Sequence, residues 1–251
     1  YEGLEGATVN IYSGDITIHS SDDCINAANP DLSGYSYSIN ISGGKITADT
    51  TTGDGFDSNG AMNISGGDIV VWTANTADNQ PLDTDGTITV SGGTILAAGG
   101  SAGMGMNIDA SQSYLTFGQS SGFGGGFRGF GVSGSNSTVK SGAEIVITDA
   151  DGNEIYSGGA LTNASWFFFS SPELSDGESY TLTSGGSGIG TAEAKSGTEN
   201  GNRFNGGGFN GGGFRPGKSS GTDMTPSDGS DGGTPELPGN FDGERPELTE
   251  D

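Results

Sequence analysis

The chain has 251 residues, of which 50 are glycine, 32 acidic and 8 basic, and only 30% are apolar. A formal net charge of −24 argues against binding nucleic acid or an anionic membrane surface by bulk electrostatics, and favours cation binding or high solubility. The single cysteine, Cys24, excludes an internal disulfide framework, and the sequence contains no run of about 18 apolar residues that could be inserted into a membrane.

Read from the N-terminus, the chain is a repeat. It begins with "EGLE" (Glu2 to Glu5), an apolar residue between acidic ones, followed by the alternating segment "TVNIYSGDITIH" (Thr8 to His19). The same pair of features then recurs. "DCIN" (Asp23 to Asn26) precedes "SINISGGKITAD" (Ser38 to Asp49), and "DGFD" (Asp54 to Asp57) precedes "AMNISGGDIVVW" (Ala61 to Trp72). "QPLD" (Gln80 to Asp83) precedes "TITVSGGTILAA" (Thr87 to Ala98). The isoleucines that follow the Gly-Gly pair or its equivalent, Ile16, Ile46, Ile69 and Ile95, are 30, 23 and 26 residues apart. In each copy apolar residues also stand five and seven positions earlier, as in Ile41 and Ile39, which is the period-2 pattern of a strand with one buried face.

An all-β sandwich would show such alternation. It would not show apolar and Asn positions repeating in register. The chain is therefore predicted to be all-β, a right-handed parallel β-helix (solenoid) whose coils occupy residues 1–108. Stacking at about 4.8 Å turns equivalent positions into columns. One inward column is Val9, Ile39, Met62 and Ile88, and its outward neighbour is Asn10, Asn40, Asn63 and Thr89. The Gly-Gly pairs turn the chain where a side chain would crowd or demand a positive φ.

In the acidic motifs the apolar member (Leu4, Ile25, Phe56, Leu82) points inward and its flanking residues point out. That gives two oxygen-bearing columns: Glu5, Asn26, Asp57, Asp83 and Glu2, Asp23, Asp54, Gln80. Two carboxylates about 4.8 Å apart repel by roughly 3 to 4 kcal/mol at an effective dielectric near 20. The first 110 residues carry 14 acidic side chains and one basic one, Lys45, so few protein cations can relieve the repulsion. Calcium, bound by oxygens at roughly 2.3 to 2.6 Å, bridges such a gap. The alternative is a solvated acidic face with no bound ion.

These motifs, "YEGLEG", "SSDDCINAA" and "SGGDI", with "FFFSSPELSDGESYTLTSGG" (Phe167 to Gly186) further on, resemble a calcium-binding, carbohydrate-binding β-helix family of clostridial cell-surface proteins. The resemblance covers about residues 1 to 190. It implies a pectate-lyase-like fold, an extracellular or cell-surface location, Ca2+ in the coil motifs, and non-catalytic binding of acidic polysaccharide of the polygalacturonate type, or of cellulose. Carried over by position, the metal ligands are Glu2, Glu5, Asp23, Asn26, Asp54, Asp57 and Asp83. Cys24 and Pro81 stand where the third motif has Gly55, which sets the outer motifs apart from the Asp54–Asp57 one.

Catalysis finds little support in the coils, where Lys45 and His19 are the only titratable bases. "NTAD" at Asn75 resembles part of a hydrolase motif without its partner motifs. The outward column His19, Asp49, Trp72 and Ala98, with Lys45, offers candidate ligand contacts; Trp72 reads either as an aromatic packed at the surface under a loop or as a platform for stacking on a sugar. A rival, structural reading is head-to-tail self-association into filaments, because the sequence opens inside a coil at "YEGLEG".

Beyond Asp109 the period is lost. "SYLTFG" and "EIVITDADGNEIYSG" read as strands, the second folded at an Asp-Gly-Asn turn. "SWFFFSSPEL" is the most apolar run and should pack against the last coil or within a small β-subdomain. Residues 109–190 are therefore expected to form a C-terminal β cap. Residues 191–251, rich in Gly, Pro and acid, are expected to be a flexible tail, and "GFGGGFRGFG" (Gly122 to Gly131) a flexible loop.

Overall fold

The computed structural model describes residues 1–28, 34–76, 78–100, 106–118, 133–134 and 138–200. All of these belong to one unit, Tyr1–Gly206, while a second, Gly207–Asp251, lies outside the described residues, as do most of the expected tail and the Gly122 to Gly131 segment. Seventeen strands and no helix are present among the described residues.

The chain is a β-solenoid with parallel stacking. Short strands β1 (Leu4–Glu5), β4 (Ile25–Ala27), β6 (Phe56–Ser58) and β8 (Leu82–Thr84) form one parallel sheet in that order. Opposite it stand β2 (Thr8–Ile11), β3 (Asp15–Ser20), β5 (Ser38–Thr50), β7 (Ala61–Trp72) and β9 (Ile88–Gly99), again parallel. The register is the one the repeat predicts. Val9 pairs with Ile39, Ile39 with Met62 and Met62 with Ile88, while Ile16, Ile46, Ile69 and Ile95 form a second column. Ile39, Met62, Ile88, Ile46, Ile69 and Ile95 are completely buried, so the period-2 alternation is the alternation between core and surface.

The two glycines of each turn have different reasons to be glycine. Gly44, Gly67 and Gly93 have φ of +97°, +105° and +91°, which L side chains rarely adopt. A Cβ on the glycine before each would instead strike the coil below: at Gly66 it would lie 2.5 Å from the Ser42 carbonyl oxygen.

The last coil is covered by an antiparallel extension. β10 (Ile108–Phe117) begins as one more rung, pairing Ile108 with Ile88 in parallel, then leaves the solenoid. Next come β11 (Ser133–Gly134), β12 (Glu144–Thr148), β13 (Glu154–Gly159) and β14 (Trp166–Ser170). β14, the most apolar run, inserts between β9 and β10 and is antiparallel to both. Finally β15 (Ser179–Ser184) and β16 (Ser187–Glu193) complete a five-stranded sheet with β11, β12 and β13, and β17 (Lys195–Glu199) pairs with β10. The ordered extension thus runs past the expected boundary at residue 190. Backbone pairing with β10, rather than apolar content, holds β17.

A second correction concerns Trp72. Its side chain does point out of the coil, as the alternation requires, yet it is completely buried in a separate apolar cluster with Leu96, Phe117, Phe167 and Phe169. The Phe167 ring meets it edge-on at 5.9 Å and 85°. The extension lies over this face of the last two coils, so Trp72 is no exposed platform for a sugar.

Candidate metal centre

The acidic motifs stack as the repeat demands. Glu5 is registered with Asn26, Asn26 with Asp57, and Asp57 with Asp83. The other column is tied across coils by its own side chains. Asp23 Oδ1 accepts the Asp54 N–H at 2.7 Å, and Asp54 Oδ1 accepts the Gln80 N–H at 2.5 Å. Asp23 and Asp54 therefore each cap the backbone of the next coil.

The residue between the two columns is forced inward. A Cβ at Gly55 would lie 2.3 Å from the Pro81 carbonyl oxygen and 2.5 Å from Val71 Cγ2. Cys24 at the equivalent place buries its thiol 3.3 Å from Ser20 Oγ, and burial pushes that thiol up to about 11. These departures from glycine occupy the interior and leave the flanking oxygens on the outside.

Of the seven residues predicted to hold metal, three converge. Single carboxylate oxygens of Asp54, Asp57 and Asp83 all lie within 4.8 Å of one another, and all three residues are half-buried. Burial is the largest cause of a raised pKa for Asp54 and Asp57, each pushed up to about 7; neighbouring carboxylates add to it. Asp54 feels Asp83, Asp23 and Asp57, while Asp57 feels Asp23, Asp83 and Asp85. Asp23 is raised as well, again chiefly by burial. Asn26 stands one coil away from Asp57 in the same column. Its Nδ2 donates to Asp23 Oδ2 at 3.1 Å, but its Oδ1 is buried without a hydrogen-bond partner, in the column beside Asp57. Glu2 raises the pKa of Asp23, and Glu5 is exposed on the first rung; neither joins the three-carboxylate group.

Three carboxylates this close repel one another, and such a group could hold a metal ion.

The predicted ligand contacts lie elsewhere. Lys45 is exposed on β5, registered between Asp15 and Asp68 on the opposite sheet, away from the acidic triad. His19 Nδ1 and Asp49 Oδ1 are 2.5 Å apart, with His19 exposed, and Asp49 is registered with the buried Trp72. The amide column had no role assigned from sequence, yet it is bonded side chain to side chain: Asn40 Nδ2 donates to Asn10 Oδ1 at 2.9 Å and Asn63 Nδ2 to Asn40 Oδ1 at 2.8 Å. Its recurrence in the repeat was the available signal. At the first rung Leu4, Val9, Ile11, Tyr12 and Ile16 line an open groove of about 520 Å³.

No protein-family model, curated protein or solved structure matches the chain.

Proposed function

We propose that the protein is a non-catalytic, calcium-dependent binder of acidic polysaccharide of the polygalacturonate type, acting outside the cell or at its surface. The observation that carries this reading is the convergence of Asp54, Asp57 and Asp83 within 4.8 Å at a half-buried edge of the solenoid. With one oxygen from each of the three carboxylates, a calcium ion, which takes six to eight oxygens, would keep coordination positions for water or an incoming carboxylate. A bound divalent ion would supply positive charge to an acidic protein that otherwise repels a polyuronate. Asp57 and Asp83 would hold the ion from adjacent coils, and Asp54 would share its charge between the ion and the Gln80 N–H.

The test is retention on immobilised polygalacturonate in millimolar calcium and in excess chelator. Calcium-dependent retention, lost in Asp57→Ala with an intact circular dichroism spectrum, supports the reading. Retention that ignores both the chelator and the substitution refutes it.

A second reading, head-to-tail stacking of solenoids, draws on the apolar groove at the first rung, where Leu4 is 37% and Tyr12 72% exposed. Negative-stain images separate the two: fibres favour stacking, single particles oppose it.

A further inference from the structure

We propose that the third coil carries a spontaneous modification site, the Asn59–Gly60 pair, at which loss of the side-chain amide sets a new carboxylate against Asp85 and widens the acidic ladder by one column. The inference goes beyond the calcium reading and does not rest on it.

The corner that follows the short strand is built alike in the third and fourth coils. β6 ends at Ser58 and is followed by Asn59–Gly60, and β8 ends at Thr84 and is followed by Asp85–Gly86. Backbone bonds stack the two corners: the Asp85 N–H donates to the Ser58 carbonyl at 2.9 Å and the Gly86 N–H to the Gly60 carbonyl at 2.6 Å. Asn59 therefore lies against Asp85, and its Nδ2 donates to Asp85 Oδ2 at 3.5 Å; both residues are exposed. Stacking also dictates the glycine, because a Cβ at Gly60 would strike the Tyr37 carbonyl oxygen. Asparagine at this corner is thus followed by the one residue with no side chain to screen its amide carbon from the next backbone nitrogen.

The reaction needs only water. The Gly60 nitrogen attacks Asn59 Cγ and closes a five-membered imide. The Cγ–Nδ2 bond breaks, and the amide leaves as ammonia with the proton that Gly60 gives up. Water then opens the imide at Cγ, which leaves an aspartate at position 59, or at the main-chain carbonyl, which routes the chain through the side chain. One water enters and one ammonia departs. The native coil slows the first step. The Gly60 N–H donates to Ser58 Oγ at 3.2 Å, and that buried hydroxyl donates in turn to the Ala61 carbonyl at 3.1 Å. Attack breaks the first of these bonds, so the Ser58 hydroxyl protects the amide. The rerouted chain carries an extra backbone carbon and misplaces the Gly60 carbonyl that Gly86 and Thr84 bond, so aspartate is the product the stack accommodates. It replaces a weak amide–carboxylate bond with two like charges on strands about 4.8 Å apart.

The test ages the full-length, chelator-treated protein in mildly alkaline buffer and follows Asn59 by peptide mass spectrometry. Asn10, Asn40 and Asn63 are the references, each followed by an isoleucine whose branched side chain crowds the attacking nitrogen. Asn59 should lose its amide at least tenfold faster than these three, and Ser58→Ala should speed that loss at least threefold. Asn59→Asp reproduces the product. At low salt it should melt a few degrees below wild type, and the deficit should disappear when the two are compared in an Asp85→Asn background. If Ser58→Ala fails to fold, the wild-type rate and the Asn59→Asp melts decide the matter. An amide at Asn59 as long-lived as those of the three references overturns the site, and a folded Ser58→Ala chain that loses it no faster overturns the protection. An Asn59→Asp deficit that is absent, or that persists with Asp85→Asn, overturns the pairing with Asp85. None of these readouts involves calcium, so failure of the calcium reading leaves the inference standing and its success cannot rescue it.

Discussion

Carboxylates in the coils and carboxylates in the C-terminal extension are treated in opposite ways. In the extension, Asp149 accepts from the Asn153 side chain and from the backbone of Asn153 and Asp151 at the hairpin turn, and these bonds hold its carboxyl below the usual range. Asp176 accepts from Ser113 and Ser196, with the same consequence. In the coils, Asp54 and Asp57 are partly buried beside other carboxylates and are pushed up to about 7. Where the protein supplies its own donors, the anion is satisfied locally. Where it stacks acid on acid, each residue makes at most a few bonds and the charge remains, and this is the physical case for an external cation at the ladder.

The largest expected effect that sharpens this contrast is metal linkage. An ion bound only by the folded state stabilises it by about 2.7 kcal/mol at a free concentration one hundred times Kd. Asp83→Ala should abolish that gain, whereas Asp149→Ala should leave it intact; thermal melts with and without calcium check both.

The next effect is pH dependence. Asp54 and Asp57 bind protons more tightly when folded, at about 7, than the ordinary value of 3.8. Between those values the folded state holds more protons, so metal-free stability should fall as pH rises from about 4 to 7. Asp149 and Asp176 are shifted down, so their contribution is present above about pH 4 and is lost as pH falls below it. Metal-free melting temperature should therefore peak near pH 4 to 5, and saturating calcium should flatten its decline towards pH 7. A metal-free melting temperature that rises steadily from pH 4 to 7 would break the contrast.

A smaller effect follows from neutralising one rung. Metal-free Asp57→Asn at pH 8 should be more stable than wild type by on the order of 1 kcal/mol, because one like-charge neighbour is gone. The smallest belongs to the extension: Asp149→Ala should lower stability only slightly, equally with and without calcium, as loss of exposed turn bonds usually does. Urea denaturation measures both.

The coils were legible in the sequence because stacking converts spacing into contact. Once Ile46, Ile69 and Ile95 are aligned, every other position in the repeat is placed, including the column that brings Asp57 onto Asp83. The extension offers no such constraint. Nothing periodic announces that β14 enters between β9 and β10, pairing Phe167 with Ala98, so Trp72 could be read as outward-facing, and as packed under a loop, but the strand that covers it could not be named. The strand Lys195–Glu199 was equally hidden, since its composition is that of a linker and its partner, Ile108–Phe117, lies far away in sequence. The acidic columns were visible, but the choice of Asp54, Asp57 and Asp83 over Glu2 and Glu5 depends on burial, which repetition does not report.

The central claim is that the ladder at Asp54, Asp57 and Asp83 takes a divalent cation. Isothermal titration of the chelator-stripped, full-length protein with calcium at pH 7.5 tests it most directly, with Asp57→Ala and Asp83→Ala alongside. Saturable binding to the wild type, accompanied by proton release from the two aspartates with pKa near 7 and lost in both variants, is the predicted result. A wild type that takes up no calcium at millimolar concentration, or variants that bind it as the wild type does, would contradict it.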